Sequence, residues 1–312
     1  DIIIEEFTKI SEQYGWKAIS WVLGGPGAGT TKFGAYLRLA SLTKSTRVSA
    51  WGYGDAGLPC GSRVILGSHL PYIYLFGKFW QRKWPDLLLI WGSNPAESMP
   101  LQTMRKVFAA KEKGTKVVVI DPRFTVTASK ADFYVGLKPG TDSALALGLM
   151  NIIFNERLYD IDFIRNETNG AYLVREDNGK FLRGKDIEDR KKEAYCIWSE
   201  KHQSAKRVRR STIKSASLMG IYNVNGYKCK PVFQLLMELA QNYTPQKTFE
   251  ITGVSKEKII QLAQAIGKYK DVIFFTYMGF TRTYHGDISL RSEVTVASLT
   301  GNVSTSFKSG YM

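Results

Sequence analysis

Short continuous apolar runs alternate along this chain with polar loops and helix-spaced segments. Leu87–Trp91 and Lys116–Ile120 each have the length and composition of a buried strand. A helix between them is predicted to start near Ser98 and to end at Gly114, because apolar residues recur there at helical spacing. Those apolar residues are Leu101, Met104, Val107 and Phe108. The order of strand, loop, helix and strand predicts an α/β fold with a parallel sheet.

Two further apolar runs, residues 18–23 and 272–277, also precede glycine-containing loops. A helix over 255–268 leads into the second run. We therefore expect two Rossmann-like α/β domains with parallel sheets, one inserted into the other. Residues 1–60 and 256–312 would form a discontinuous domain in which the two runs pair, and residues 61–255 would form the inserted one. Residues 1–15 predict an acidic amphipathic helix and lack the order of a signal peptide.

A polar loop follows each of the first two strands. Gly92 to Pro95 follow the first, and Asp121 ends the second. A carboxylate at the carboxyl end of a parallel strand is well placed to accept hydrogen bonds from a ribose. The pattern alone favours a helix cap or loop anchor equally, so Asp121 is a candidate nucleotide ligand only.

Four loop motifs occur in a fixed order along the chain: Gly92-Ser93-Asn94-Pro95, Asp121-Pro122-Arg123, Lys138-Pro139-Gly140-Thr141-Asp142 and Thr300-Gly301-Asn302. In order and approximate spacing they resemble loops in the central portion of the catalytic subunits of molybdopterin-dependent oxidoreductases, the dimethyl sulfoxide reductase family. Residues 168–175 and 179–183 resemble its nitrate- and selenate-reductase-like branch, and the formate-dehydrogenase-like branch is the alternative. The resemblance covers most of the chain. It implies molybdenum or tungsten held by two molybdopterin guanine dinucleotides.

The same resemblance assigns cofactor contacts to residues of these loops and of the loop after 272–277, and makes 61–255 a dinucleotide-binding domain. The cofactor-binding candidates are Gly92, Ser93, Asn94, Asp121, Arg123, Lys138, Gly140, Asp142, Gly279, Thr300, Gly301 and Asn302. The last three are expected to approach the metal end of the cofactor. His285, in the loop after 272–277, is a catalytic candidate for proton transfer, and a capped turn is its alternative role.

The protein ligand to the metal is implied to lie in the segment Trp51 to Arg63. Spacing from the loop at Asn94 favours Cys60, whose thiolate suits a metal already bound by dithiolenes. The nitrate-reductase-like pattern puts Gly57 in the ligand position and makes Asp55 the nearest carboxylate. Both Asp55 and Cys60 therefore stand as catalytic and metal-binding candidates. Their alternatives are a turn-forming carboxylate and a small buried residue in a Pro-Cys-Gly turn.

The cysteines limit the other metal chemistry of this chain. Cys60, Cys196 and Cys229 are too few and too scattered for a four-thiolate cluster. A [4Fe–4S] cluster is therefore expected only from sequence outside this chain. The resemblance implies the remaining segments of the same enzyme, an iron–sulfur electron-transfer subunit and a membrane anchor subunit as partners, in a membrane-associated or extracytoplasmic complex.

Composition and charge restrict the class of protein further. The chain has 312 residues, 44% of them apolar, which is typical of a globular protein. Its net charge of +15 is concentrated near 185–225, above all in residues 201–214 with the run Lys-Arg-Val-Arg-Arg. No nucleic-acid-binding motif accompanies this run, so we interpret it as a solvated insertion that docks an acidic partner subunit or a polar lipid surface.

We therefore expect a two-electron oxidoreductase or oxygen-atom transferase of anaerobic-type respiration that is incomplete on its own. The alternative is a metal-free structural relative in a respiratory complex, because the ligand position matches Gly57. A nicotinamide dehydrogenase is disfavoured, because no G-x-G-x-x-G follows a first strand. The sequence leaves the substrate open among oxyanions, sulfur compounds, S- or N-oxides and hydrocarbons.

Overall fold

The computed structural model describes residues 1–23, 29–49, 57–67 and 84–303. The chain divides into two units, residues 1–57 and the residues from Leu58 onward. Asp55 and the loop around it lie outside the described residues. In the described ranges, no helix has the length and apolar character needed to cross a membrane.

The described residues of the first unit form two parallel strands and two longer helices. In chain order its elements are α1 (Ile2–Tyr14), a 3₁₀ turn (Trp16–Ala18), β1 (Ser20–Leu23), α2 (Gly29–Thr43) and β2 (Thr46–Ser49). β1 pairs with β2 in register from Ser20 opposite Thr46. Phe7 of α1 packs edge-on against Trp21 at 5.3 Å between ring centroids. The helix and the strand predicted for the first 23 residues are confirmed.

The second unit is organised around a four-stranded parallel sheet. Its strands are β3 (Leu87–Trp91), β4 (Lys116–Ile120), β5 (Phe133–Val135) and β11 (Val272–Thr276), in the order β11-β3-β4-β5. The strands predicted from apolar runs are confirmed, as is the α/β class with parallel sheets.

The predicted pairing of 272–277 with 18–23 is wrong. β11 pairs with β3 from Val272 opposite Leu87 to Thr276 opposite Trp91, and β1 pairs with β2. All five residues of β11 are buried, because helices cover both faces of the sheet at β3. The strand therefore belongs to the second unit.

Helices cover both faces of this sheet, and the alternation of side chains along β3 shows how. Leu87, Leu89 and Trp91 pack into a core with α6, α11 and α12. Leu88 and Ile90 pack on the opposite face with the helical segment between β3 and β4. Because both faces are buried, the strands are continuously apolar, as expected for a parallel sheet.

Within the described residues, the helices of the second unit are, in chain order, α3 (Gly57–Leu66), α4 (Pro95–Ser98), α5 (Arg105–Glu112), α6 (Asp142–Asn155), α7 (Ile161–Glu167), α8 (Arg210–Ile213), α9 (Val232–Gln241), α10 (Pro245–Thr252), α11 (Lys256–Lys268) and α12 (Gly286–Leu299). Short 3₁₀ turns cover Ala128–Lys130 and Gly184–Ile187. The predicted helix over 255–268 is confirmed as α11, with Ser255 as its N-cap.

The helix predicted from Ser98 to Gly114 starts earlier and is irregular. It begins as α4, passes through a π-helical turn at Pro100–Met104 and continues as α5. Met104 and Val107 are buried as expected, but Leu101 and Phe108 are 82% and 45% exposed. The wider π turn rotates the buried face, so a stripe drawn at regular α spacing assigns the wrong residues to it.

An antiparallel module separates α7 from α9. It contains a three-stranded sheet, β6 (Leu173–Arg175), β10 (Tyr227–Pro231) and β9 (Tyr222–Val224), and a hairpin of β7 (Cys196–Ser199) with β8 (Ser204–Arg207). Its small core includes Cys196 and Cys229. The basic segment 201–214 is partly regular structure, because it holds β8 and α8.

Candidate functional site

The carboxyl ends of the parallel strands define the candidate site. β4 and β5 follow β3 on one side, whereas β11 lies on its other side. The helical segment after β3 packs on one face of the sheet, and α12, which follows β11, packs on the other. Loops that leave neighbouring strands toward opposite faces open a crevice, and α/β proteins bind ligands in such crevices.

Two glycines bring the loops after β3 and β11 into backbone contact. The N–H of Gly279 donates to the carbonyl oxygen of Gly92 at 3.0 Å. A Cβ atom at Gly279 would lie 2.2 Å from that oxygen, and one at Gly92 would lie 2.6 Å from the ring of Phe280. Gly92 also has a φ of 62°, which favours glycine. The floor of the crevice is therefore bare backbone.

Asn94 and Ser93 follow Gly92. Asn94 Oδ1 accepts from Thr127 Oγ1 at 2.6 Å and ties the loop after β3 to the loop after β4. Ser93 is 5% exposed, and its Oγ has no hydrogen-bond partner among the described residues. A buried hydroxyl without a partner calls for an additional polar group, and a bound cofactor would supply one.

Asp121 directly follows β4, as the sequence predicts. Burial raises the pKa of its carboxyl, and the backbone N–H of Arg123, at 2.9 Å from Oδ1, opposes that rise. The Arg123 side chain is 73% exposed and lies 3.6 Å from Glu97. The loop therefore places an acceptor inside the crevice and a cation at its rim.

The loop after β5 carries three more candidates. Lys138 is exposed, and its Nζ lies 3.5 Å from the carbonyl oxygen of Glu250. Gly140 has a φ of 76°, and a side chain there would lie 3.9 Å from Thr283. This loop and the loop after β11 are thus neighbours at the same edge of the sheet.

Asp142 begins α6 and is buried. Its Oδ1 accepts from Trp91 Nε1 at 2.7 Å. Burial raises the pKa of Asp142 to about 6, with a smaller rise from the charge of Asp121, and the bond from Trp91 opposes both. One carboxylate oxygen is therefore already engaged by the protein, and a contact from Asp142 to guanine stays a prediction.

Cys60 lies in α3 and is exposed. The alternative of a buried cysteine in a turn is therefore wrong, because residues 57–66 continue as a helix. The next residue, Gly61, packs so closely on α12 that a Cβ there would lie 2.7 Å from the carbonyl oxygen of Asp287. α3 thus contacts the start of α12, the helix that follows His285.

His285 is the N-cap residue of α12, with a φ of 58°. Its side chain makes no capping hydrogen bond, and its ring lies 3.9 Å from that of Tyr284. The imidazole is exposed at the crevice edge. A role in proton transfer stays a prediction.

The loop of Thr300, Gly301 and Asn302 lies at the amino ends of the strands, at the end of the sheet opposite the crevice. Asn302 Oδ1 accepts from the N–H of Val272, the first residue of β11, at 3.0 Å. α12 runs back along the sheet for about 20 Å, at roughly 1.5 Å per residue, and so carries the residues after it to the amino ends of the strands. The structure does not bring this loop together with the other cofactor candidates.

Sequence reasoning missed Glu293. This residue of α12 is 1% exposed, and its Oε1 accepts from Thr276 Oγ1 at the end of β11. Its Oε2 has no partner among the described residues. The available signal was a carboxylate within a stripe of apolar residues, Leu290, Val294 and Ala297, that faces the core.

The described ranges contain no group of three or more His, Cys, Asp or Glu side chains arranged to hold a metal ion. Asp55 is outside these ranges, and Cys60 lies within them. The candidate metal ligands are therefore single residues and not a cluster.

Comparison with known proteins agrees with this arrangement. The family model described as molybdopterin oxidoreductase matches residues 1–310. The chain therefore belongs to the molybdopterin oxidoreductases, a family of enzymes that use molybdopterin with molybdenum or tungsten.

Three of the relatives are alpha subunits that are longer than this chain. The perchlorate reductase subunit alpha of Dechloromonas aromatica is 29% identical over 69% of this chain and 27% of its own length. The F420-dependent formate dehydrogenase subunit alpha of Methanocaldococcus jannaschii is 29% identical over 70% and 23%. The dimethylsulfide dehydrogenase subunit alpha of Rhodovulum sulfidophilum is 24% identical over 96% and 34%. The chain thus spans about a third or less of these relatives.

Among solved structures, acetylene hydratase from Pelobacter acetylenicus is similar with a TM-score of 0.53 and 21% identity. The match covers 96% of this chain and 32% of that one. At this identity the likeness concerns the fold, which is the same α/β architecture.

Proposed function

We propose that this chain is the central cofactor-binding part of a molybdenum or tungsten oxidoreductase that holds two molybdopterin guanine dinucleotides. The cofactor would supply the two-electron redox or oxygen-atom transfer chemistry. The observation that carries the proposal is the crevice at the strand ends, where neither Gly92 nor Gly279 has a side chain and Ser93 Oγ has no hydrogen-bond partner in the part of the chain that the structure describes.

The residues at this edge suit a nucleotide. The amino termini of α6 and α12 both lie there, and helix amino termini favour phosphate groups. Lys138 and Arg123 are exposed cations beside them. Asp121 offers a partly buried carboxylate that can accept from ribose hydroxyls or from a guanine N–H.

We also propose Cys60 as the protein ligand to the metal. It is exposed in the first turn of α3, and α3 contacts α12 directly after His285. A single thiolate suffices when the dithiolene sulfurs of the cofactor supply the remaining ligands. Asp55 is the competing candidate.

Metal and pterin analysis of the purified protein tests the function. We expect near-stoichiometric molybdenum or tungsten by inductively coupled plasma mass spectrometry, a fluorescent pterin after oxidation, and guanine nucleotide after acid hydrolysis. Pterin without metal would favour the alternative, a metal-free structural relative. Absence of both would refute the oxidoreductase proposal.

The basic segment 201–214 is proposed to dock an acidic partner subunit, of which an iron–sulfur electron-transfer subunit is the expected kind. Five of its cations are exposed and form no ion pair with the described residues: Lys201, Lys206, Arg209, Arg210 and Lys214. Arg207, by contrast, pairs with Asp189 at 2.9 Å. A run of free cations on a regular hairpin and helix favours a partner of opposite charge.

Charge neutralisation tests this surface. The triple variant K206Q/R209Q/R210Q is expected to weaken retention of the partner subunit about tenfold at low salt, because rim charges speed association. The matched control K256Q/K268Q/K270Q removes the same charge from exposed positions near α11 and should retain the partner. Equal losses in both variants would refute docking at 201–214, and loss of binding to anionic vesicles alone would point to a lipid surface.

A further inference from the structure

Two buried carboxyl groups, Asp142 and Glu293, lie on the face of the sheet that α6 and α12 cover. Trp91 and Thr276 are the last residues of β3 and β11 and are register partners. Trp91 Nε1 donates to Asp142 at the start of α6, and Thr276 Oγ1 donates to Glu293 in α12. Each strand end therefore holds one carboxyl group on the same face of the sheet.

The two helices are also joined directly. Ser143 of α6 and Ser289 of α12 lie 3.2 Å apart between their hydroxyl oxygens. Ser143 follows Asp142, and Ser289 precedes Glu293 by one helical turn. The carboxyl groups are thus fixed by two strands and two helices at once, next to the loop of residues 138–142.

Two negative charges at this place would be costly. Asp142 is 3% and Glu293 1% exposed, and an ionised carboxylate in such surroundings is destabilised unless it is fully hydrogen-bonded. Asp142 has the indole donor, whereas Glu293 Oε2 has no described partner. The proton is therefore best held by Glu293.

The charges around the pair strengthen this preference. Asp121, from the loop after β4, acts on Asp142, and Asp142 acts on Glu293. Trp91 and Thr276 contribute neutral donors from the strands, and no described cation is found to act on either carboxyl. Burial and, to a smaller extent, the charge of Asp142 raise the pKa of Glu293 to about 8. The hydrogen bond from the Thr276 hydroxyl opposes this rise.

We propose that Asp142 and Glu293 form a one-proton acid pair that fixes the loop of residues 138–142 and α12 at the cofactor crevice, with Glu293 as a positioning residue. Loss of the Glu293 proton puts two like charges between α6 and α12 and loosens that end of the sheet. The link to the cofactor rests on the proposed function, whereas the acid pair itself does not.

The sign of the pH effect follows from linkage. The folded protein holds the Glu293 proton to about pH 8, whereas the unfolded chain releases it near the ordinary value of 4.5. The folded state binds more protons in this window, so stability falls as pH rises through it. Asp142, whose pKa is about 6 in the fold, contributes the lower part of the same fall.

The Glu293→Gln variant isolates this effect, because an amide of the same shape accepts from Thr276 and does not ionise. We expect the thermal midpoint of the unaltered protein to fall about 5 °C further than that of E293Q between pH 6 and 9. In the Asp142→Asn variant, the fall of the thermal midpoint with pH should occur at lower pH than in the unaltered protein, because the negative charge of Asp142 no longer acts on Glu293. The control Glu112→Gln, at an exposed position of α5, should leave the pH profile unchanged.

The acid pair would be refuted if the thermal midpoints of E293Q and the unaltered protein differed by the same amount at every pH, and if the pH profile of D142N matched that of the unaltered protein. For the cofactor link, pterin released on gel filtration at pH 7 and 9 is measured by fluorescence. Several-fold faster release at pH 9 from the unaltered protein than from E293Q is expected, and equal release would refute the positioning role. A protein that shows the pH shift but contains no pterin would refute the proposed function and leave the acid pair standing.

Discussion

Replacing Cys60 with alanine is expected to lower the affinity of the protein for molybdenum or tungsten by at least about 100-fold, so that the purified variant retains less metal. Even substitutions of outer-shell residues at metal sites lower metal affinity about 10–100-fold. Cys60 is exposed in α3, next to the helix that follows His285. A thiolate there can bind a metal without rearrangement of the core. Metal content and the number of sulfur neighbours by X-ray absorption measure the loss, which should be one sulfur.

The other two cysteines provide matched controls. Burial raises the pKa of Cys196 to about 12 and that of Cys229 to about 11, so neither is a thiolate at neutral pH. Cys196→Ala and Cys229→Ala should therefore leave the metal content unchanged. In metal-free protein, iodoacetamide should label Cys60 and spare both of them until the protein unfolds.

The comparison with Asp55→Ala decides between the two candidate ligands. If C60A retains the metal while D55A loses it, the assignment to Cys60 is wrong and the carboxylate is the ligand. If both variants retained the metal, neither Cys60 nor Asp55 would be its ligand.

Replacing Gly279 with alanine is expected to destabilise the protein by about 2–4 kcal/mol, at the upper end of overpacking effects. A Cβ there would lie 2.2 Å from the carbonyl oxygen of Gly92 and 3.0 Å from its Cα. Both neighbours are backbone atoms held by sheet hydrogen bonds, so they cannot move aside cheaply. The loops after β3 and β11 must separate, and the crevice loses its floor.

Chemical denaturation and cofactor content test this expectation together. The control is Gly34→Ala in α2, where no described atom apart from the neighbouring backbone of the same helix lies within 4 Å of the added carbon. That change should leave stability equal or raise it by up to about 1 kcal/mol, because alanine favours helix. If G279A were as stable as G34A, the close approach of the two loops would not exist in solution.

The strands were predictable because their signal is local. β3 and β4 are continuous apolar runs of strand length, and a strand buried on both faces must have that composition. The helix between them was less predictable, because a π turn at Pro100–Met104 shifts the buried face and leaves Leu101 exposed. Such a turn has no strong signature in composition.

The residues of the candidate site also differ in how far local sequence reveals them. Asp121 and Asn94 could be proposed from sequence, because Asp121 directly follows one strand that the apolar pattern marks and Asn94 lies in the loop after the other. Glu293 could not, since its importance depends on Thr276 and Asp142, which lie 17 and 151 positions away in the sequence. The position of the loop at Asn302 could not be predicted either, because the sequence does not show that α12 returns along the sheet to Val272.

The sequence by itself determined the α/β class, the strands β1, β3, β4 and β11, and the family, since apolar runs and loop motifs are properties of neighbouring residues. The tertiary structure alone decided that β11 lies beside β3, that Gly92 meets Gly279, and that two carboxyl groups share one buried place. The physical reason is that strand order and burial depend on contacts between residues far apart in the chain. The electrostatic cost of a buried charge exists only once those contacts have formed.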